Sequence, residues 1–401
     1  MNKKYYIVND EFFKFTKLHS FTNQYYTCYN NVGDYMKSAY IHIPFCKTIC
    51  SYCDFCKMFY NEDLVDKYLL ELNNEINKNY KGETLKTIYI GGGTPSSLNI
   101  KQLNKLLNII KIFKLEENYE FTVECNIENI TKEKLELLYK NKVNRLSIGI
   151  QTFNEKYLKF LNRNHTKEEI KEKINLAKTI GFENINIDLM YAFPEETLEE
   201  LEIDINEFLK LDIPHISTYS LIIEPHTKLY IDKIKNIDED LDRKMYDLIC
   251  SKLNKYNHYE ISNFGKEGYE SIHNLTYWNN ENYYGFGLGA SGYINNIRYD
   301  NTKNINEYLK GNYIKNKEVL SKNIEIENEF ILGLRKIKGI NIEKFNKKYD
   351  NIFKYDVVNR LLKENKLQKD NKNIFINNEY IYTSNNILIE FIGENYEGRN
   401  I

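Results

Sequence analysis

Cys46, Cys50 and Cys53 stand in one short loop, Cys46-Lys47-Thr48-Ile49-Cys50-Ser51-Tyr52-Cys53, directly after the apolar stretch Tyr40-Ile41-His42-Ile43-Pro44-Phe45. Three thiolates at this spacing can ligate three irons of a four-iron cluster and leave the fourth iron without a protein ligand. An open iron is a place to do chemistry. Cys56 follows, so four thiolates are also in reach of a structural zinc, but zinc sites usually pair two separated knuckles rather than crowding one loop. Seven cysteines in 401 residues, an odd number with four of them clustered, argue for a reduced, cytosolic protein whose thiols bind metal rather than for a disulfide framework.

Something must hold that loop, and the chain from Ser38 to Leu221 supplies it. Short apolar runs alternate there with longer charged segments of helical period, the signature of βα units and a parallel sheet. Strands are expected at Tyr40–Ile43, Thr87–Ile90, Glu120–Glu124, Arg145–Ile150, Ile185–Met190 and His215–Leu221. Helices are expected at Glu62–Asn79, Lys101–Phe113, Lys132–Tyr139, Lys167–Thr179 and Glu196–Leu209, where apolar residues recur at three and four, as Leu64, Tyr68, Leu72 and Ile76 do. Right-handed crossovers curl six such units into an open part-barrel, a partial TIM-like (β/α)6 fold of the α/β class. All five prolines sit at proposed strand ends or in nearby loops, as residues that cannot donate to a ladder should.

Active sites of parallel barrels lie at the C-terminal strand ends. Those ends carry the cysteine loop, Gly91-Gly92-Gly93-Thr94-Pro95, Glu124, Gln151 and Asp188. The glycines let backbone groups approach a ligand closely, and no Gly-Lys-Ser/Thr follows that would make a phosphate loop. Arg163 adds a rigid fork for a carboxylate, against the plainer reading of a solvated surface arginine.

Beyond Asp232 the rhythm changes. Leu241–Leu253 reads as a helix, followed by a loop-rich stretch with His273-Asn274-Leu275-Thr276-Tyr277-Trp278. The glycine run Gly285–Ser291 lacks both the spacing and the preceding strand of a dinucleotide site and is expected to pack closely against the barrel mouth. Segments at Glu327–Leu334, Ile342–Tyr349, Phe353–Glu364 and Ile374–Tyr382 indicate a small helical domain with a terminal hairpin, similar to a winged helix. The expected divisions are an arm over 1–37, a core over 38–231, an extension over 232–324 and a terminal domain over 325–401.

Composition excludes more than it proposes. The net charge of -2 and the lack of a dense basic stripe give no nucleic-acid footprint. No apolar run approaches the roughly 18 residues of a membrane span, so a cytoplasmic protein with at most peripheral membrane contact is expected. The 34 tyrosines track an overall bias toward lysine, asparagine, isoleucine and tyrosine, and mark no surface.

Taken together, the phrases Tyr40-Ile-His-Ile-Pro-Phe-Cys, Gly-Gly-Gly-Thr-Pro, Asn144-Arg-Leu-Ser-Ile-Gly-Ile-Gln-Thr-Phe, Asp188-Leu-Met-Tyr, Ile223-Glu-Pro, Tyr259-Glu-Ile-Ser, His273-Asn-x-x-Tyr-Trp and Gly287-x-Gly-Ala-Ser resemble the oxygen-independent coproporphyrinogen III oxidase family of radical S-adenosylmethionine (SAM) proteins. Their order spans nearly everything after Ser38. The resemblance implies a barrel of the radical SAM type, with a [4Fe-4S] cluster on Cys46, Cys50 and Cys53. It also implies a SAM site lined by Tyr40, Gly92, Gly93, Thr94, Glu124, Gln151, Arg163 and Asp188.

Finer text separates the branches. The oxidase branch carries a cysteine two residues after the third ligand, where this chain has Phe55. Cys53-Asp54-Phe55 and His273-Asn-x-x-Tyr-Trp are similar instead to the HemW-type haem chaperone branch, which implies haem as a third ligand and haem-acceptor proteins, membrane-bound ones included, as partners. His273 is then the candidate haem ligand, with Tyr277 or Trp278 stacking on the porphyrin. A structural hydrogen bond is the plain alternative for such a histidine. Cys56 departs from the chaperone pattern, and the arm is longer than that branch usually has. The rival activity is radical decarboxylation of coproporphyrinogen III propionates, with another radical SAM reaction on the same scaffold as a third possibility.

Overall fold

The computed structural model describes residues 36–394 and 396, which fall into two compact units, Met36–Ser321 and one that begins at Lys322. The arm expected over 1–37 lies outside the described residues except for Met36 and Lys37.

In the first unit, β1 (Ser38–Ile43) leads into a short parallel pair, β2 (Phe45–Cys46) and β3 (Met58–Phe59), that brackets the cysteine loop. There follow α1 (Glu62–Asn79), β4 (Thr84–Gly92), α2 (Ile100–Ile110), β5 (Lys114–Asn126), α3 (Lys132–Lys140) and β6 (Arg145–Gln151). The second half of the barrel is α4 (Glu155–Phe160), α5 (Lys167–Ile180), β7 (Asn184–Tyr191), α6 (Leu198–Leu209) and β8 (His215–Ser220). The strands β1-β4-β5-β6-β7-β8 lie side by side and parallel, in sequence order, as the alternating pattern requires. Local chemistry sets the helix starts. Asn99 with Gln102, Thr166 with Glu169, and Thr197 with Glu200 form capping boxes at α2, α5 and α6. Glu196, expected inside α6, lies before it and accepts from the Phe193 N–H at 3.0 Å instead.

The sheet is larger than the six expected strands. It continues through α7 (Lys228–Ile231), α8 (Glu239–Lys252), β9 (Asn257–Glu260), β10 (Asn263–Gly265), α9 (Ile272–Trp278), β11 (Tyr283–Phe286), β12 (Ser291–Ile294), β13 (Ile297–Asn301), α10 (Ile305–Tyr308) and β14 (Ile314–Val319). The twelve-stranded order is β14-β13-β12-β11-β1-β4-β5-β6-β7-β8-β10-β9, so the stretch beyond Asp232 extends both edges of the barrel sheet. Two expectations are corrected here. His273 lies in a helix, not a loop, and the glycine run does have a preceding strand, β11, which pairs in parallel with β1 from Ser38–Tyr283 onward. Both elements depend on partners far away in the chain, which no short window reveals.

The close approach expected of the glycine run is present. A Cβ on Gly287 would lie 2.5 Å from the Tyr68 hydroxyl and 2.6 Å from the His42 carbonyl oxygen, at a φ of +97°. Gly287→Ala should therefore destabilise the first unit by about 2 kcal/mol or more. Urea unfolding reads this directly, and an unchanged midpoint would show that the turn yields freely.

The strands alternate cleanly. Leu146, Ile148 and Ile150 of β6 and Ile185, Ile187 and Leu189 of β7 join the main apolar core with α-helical residues such as Leu106, Ile174 and Ile205. Their neighbours in sequence face the other way and are polar: Arg145, Ser147 and Gln151, and Asn186 and Asp188. The barrel lumen is thus lined with hydrogen-bonding groups.

The second unit runs α11 (Lys322–Gly333), β15 (Ile340–Asn341), α12 (Ile342–Lys348), α13 (Asp356–Lys363), β16 (Leu367–Lys369), β17 (Asn373–Ile376) and α14 (Ser384–Leu388). Its antiparallel sheet has the order β15-β17-β16, and helix, strand, two helices and hairpin follow one another as in a winged helix. Phe330 centres its core, stacking on Phe391 at 4.7 Å and meeting Phe345 at 4.9 Å.

Candidate functional site

The cysteine loop is fastened at the C-terminal mouth of the barrel. The N–H groups of Gly93 and Thr94 donate to the carbonyls of Ile43 and Phe45 at 2.9 and 3.0 Å, which zips the glycine turn after β4 to the chain entering the loop. A Cβ on Gly93 would lie 2.8 to 2.9 Å from backbone atoms of Pro44, Ile43 and Phe45, so only glycine permits this. On the other side Ser51 N–H donates to the Leu161 carbonyl at 3.2 Å, and Asn162 Nδ2 to the Ile49 carbonyl at 3.0 Å.

Thr94 donates to Cys46 Sγ at 3.5 Å and accepts from Asn126 Nδ2 at 3.3 Å. Burial pushes the Cys46 thiol up and takes the Cys53 thiol to about 12, against the pull of Lys57. Cys56 points elsewhere. Its Sγ would be 3.0 Å from a Cβ on Gly289, so it packs on the glycine run after β11.

Glu124, at the end of β5, accepts from the Tyr89 hydroxyl at 2.8 Å through Oε1 and from Gly92 N–H at 2.9 Å through Oε2. Asp188 accepts from Asn186 Nδ2 at 2.9 Å, and burial raises its pKa. Gln151 ends β6 in the left-handed region, at a φ of 74°, a strained setting for a residue with a side chain. Tyr40 donates to His42 Nδ1 at 2.9 Å, because His42 must keep its proton on Nε2 for the Cys56 carbonyl 2.7 Å away.

Arg163 is not a surface arginine. It is 5% exposed and passes over Gly149, where a Cβ would be 2.8 Å from its Nη2. Nη2 donates to the Gly149 carbonyl at 3.1 Å and Nη1 faces Glu128 at 3.6 Å, while the buried Nε has no hydrogen-bond partner. The charges of Cys50, Tyr52, Glu128 and Asp188 all act on it. An orphaned guanidinium N–H beside the cysteine loop fits the carboxylate of an amino-acid-like ligand. With Glu124 and Asp188 available for an ammonium or ribose hydroxyls, this donor set fits SAM; the thiols are not drawn together as a ready metal site among the described residues, and it is the spacing of the three cysteines that suits a cluster with one open iron.

Sequence reading missed Glu128 and Tyr52. Burial alone would raise the Glu128 pKa, but the hydrogen bond from His165 at 3.1 Å and the Arg163 charge outweigh it and hold the carboxyl down at about 2. Glu128 is therefore the fixed anion that aims Arg163. Its position just past the end of β5 was the available signal.

His273 lies at the opposite end of the barrel. Its Nδ1 is 2.6 Å from Thr87 Oγ1 near the start of β4, while the glycine turn begins five residues further along the strand. At about 3.3 Å per residue that sets Thr87 about 16 Å from the turn along β4. Helix α9 floors the barrel, held by the Glu120 carboxylate, which accepts from Ile272 and His273 N–H at 3.0 and 2.9 Å. Thr87 donates onward to Ser38 at 2.7 Å, so its oxygen accepts from His273 Nδ1–H, and Nε2 accepts from the Tyr277 hydroxyl at 2.8 Å. Burial first, and then the Arg145 charge, lower the His273 pKa to about 3, so the ring is neutral. A neutral ring with its proton fixed on Nδ1 presents the Nε2 lone pair that an iron takes. That lone pair is bonded to Tyr277, which is half-buried, as is Trp278.

Comparison with known proteins gives three results. The radical SAM superfamily matches residues 40–208. The chain is similar to the haem chaperone HemW of Lactococcus lactis, at 43% identity over 88% of this chain and 97% of that one, and to HemW of Bacillus subtilis, at 40% over 90% and 100%. Its structure is similar to that of coproporphyrinogen III oxidase (HemN) from Escherichia coli, with a TM-score of 0.80 at 23% identity, covering 90% of this chain and 91% of that one. The last likeness concerns the fold.

Proposed function

The chain belongs to the HemW haem-chaperone family of the radical SAM superfamily, and we propose that it binds haem, a [4Fe-4S] cluster and SAM and hands haem to acceptor proteins, membrane-bound ones among them, from the cytoplasm. No helix among the described residues is long and apolar enough to cross a membrane.

One observation carries the reading. The candidate haem ligand meets Thr87, which lies five residues, about 16 Å at 3.3 Å per residue, down β4 from Gly92 at the mouth. A radical made at the mouth reacts only with atoms in contact with it, and the Tyr89 ring stands between His273 and Glu124. Binding and transfer fit that separation better than turnover.

Cys46, Cys50 and Cys53 hold the cluster. Arg163 takes the SAM carboxylate, and Glu124, Asp188, Gln151, Tyr40 and the Gly92-Gly93-Thr94 turn orient the rest. The reduced cluster supplies one electron able to cleave the SAM sulfonium. At the floor, His273, which is 1% exposed, would offer Nε2 to haem iron once the Tyr277 hydroxyl turned aside, and Tyr277 and Trp278 would be the residues to stack on a porphyrin.

The test is a haem titration of the anaerobically reconstituted protein, followed by its Soret band. His273→Ala should weaken haem binding at least tenfold, while Tyr277→Phe, which frees Nε2 and keeps the ring, should bind haem as tightly as wild type or more so. Loss of stability in His273→Ala at unchanged haem affinity would make the histidine structural only. Decarboxylation of coproporphyrinogen III under the same conditions would move the protein to the enzyme branch.

A further inference from the structure

Tyr89 touches both the floor and the mouth. Its hydroxyl donates to Glu124 Oε1 at 2.8 Å, and its ring stacks on His273 at 4.9 Å between centroids and 26° between planes. The same ring stacks on Tyr40 at 6.1 Å. Gly91 makes room for the pair, since a Cβ there would lie 2.6 Å from Glu124 Oε1 and 2.7 Å from Tyr89 Cε1. Glu124 in turn holds the Gly92 N–H through its second oxygen. On the other side, His273 is pinned between Thr87 and Tyr89, two lumen-facing residues of one strand.

We propose that Tyr89 couples the SAM site to His273, so that a ligand engaging Glu124 loosens the floor helix and weakens the hold on haem. This rests on the function proposed above and deepens it by naming how loading of one site signals to the other. Glu124 Oε1 has two suitors, the Tyr89 hydroxyl and a ligand hydroxyl or ammonium. When the ligand takes that oxygen, Tyr89 loses its acceptor, and its ring is free to shift on the imidazole it was fixing. An imidazole held less firmly is a less pre-organised ligand. Coupling of this kind is reciprocal, so His273 must influence SAM affinity through the Tyr89 ring.

The experiment is hydrogen–deuterium exchange of the reconstituted full chain with and without SAM, read on the amides of Ile272–Trp278. SAM should speed their exchange at least about fivefold in wild type and by less than about twofold in Tyr89→Phe, which keeps the stacking ring and lacks the hydroxyl. No change in wild type, or a change that survives in Tyr89→Phe, overturns the coupling. The converse arm stands if Tyr89→Phe fails to fold or to bind SAM. There His273→Ala should shift the SAM dissociation constant about fivefold, and His273→Phe, which restores a ring against Tyr89, should bring it back. A SAM affinity indifferent to His273→Ala overturns the proposal as well. Haem titration in parallel keeps the two claims apart: absence of haem binding strikes the proposed function and leaves the exchange data to judge the coupling.

Discussion

Alanine in place of Cys46, Cys50 or Cys53, one at a time, should abolish the four-iron cluster, whereas Cys56→Ala should retain it. The difference follows from where the thiols point. Cys46 enters the loop from β2, beside the Thr94 hydroxyl at 3.5 Å, and Cys50 and Cys53 share one turn, in which Cys53 N–H donates to the Cys50 carbonyl at 3.4 Å. Cys56 leaves the loop and packs its Sγ on Gly289. A cluster held by three thiolates has no reserve: loss of one leaves two irons without protein ligands. Iron and sulfide content after anaerobic reconstitution, with the visible absorption of the cluster, gives the answer. Equal loss in Cys56→Ala would mean that four thiolates share the metal, and the zinc-type arrangement would regain its place.

Arg163→Ala should weaken SAM binding by about 10- to 150-fold with the cluster still in place, because one charge-assisted hydrogen bond contributes about 1.5–3 kcal/mol and each 1.4 kcal/mol is tenfold. The buried Nε without a partner is the group that the ligand carboxylate completes. Arg163→Lys should recover little, since a lysine offers a point charge where a planar fork is aimed by Glu128 and the Gly149 carbonyl. Anaerobic calorimetry on the cluster-loaded variants measures this. SAM affinity equal to wild type in Arg163→Ala would assign the carboxylate to another residue and leave Arg163 with a structural pairing to Glu128.

Much of this protein is legible in local pattern. All six expected barrel strands and the five expected helices appear where alternation and three-to-four spacing place them, because those periods reflect which face of each element meets the core, and the core is built from near neighbours. Only the short α4 among the barrel helices went unexpected. The cysteine spacing, the glycine turn and the polar strand ends are equally local, and the fold gathers Glu124, Gln151, Arg163 and Asp188 at one mouth. A finer signal went unread: Glu120-x-Thr122-x-Glu124 and Asn186-x-Asp188 alternate polar with apolar inside strands that read as apolar runs, which marks a hydrogen-bonded lumen.

Other features were decided only by the tertiary structure. Helix α9 has a local cap in Ser271, which accepts from Asn274 N–H, but the N–H groups of Ile272 and His273 are satisfied by Glu120, 153 residues from His273 in sequence. The tautomer of His273 is set by Thr87, 186 residues away. The outer strands exist because β1 offers β11 a free edge, and Arg163 is a buried donor rather than a surface charge because Gly149 lets it pass over β6. Spacing along the chain determines which groups can ligate or stack. Whether a histidine meets an iron, a tyrosine or water depends on desolvation and on partners brought in from distant strands, and those are settled only when the sheet closes.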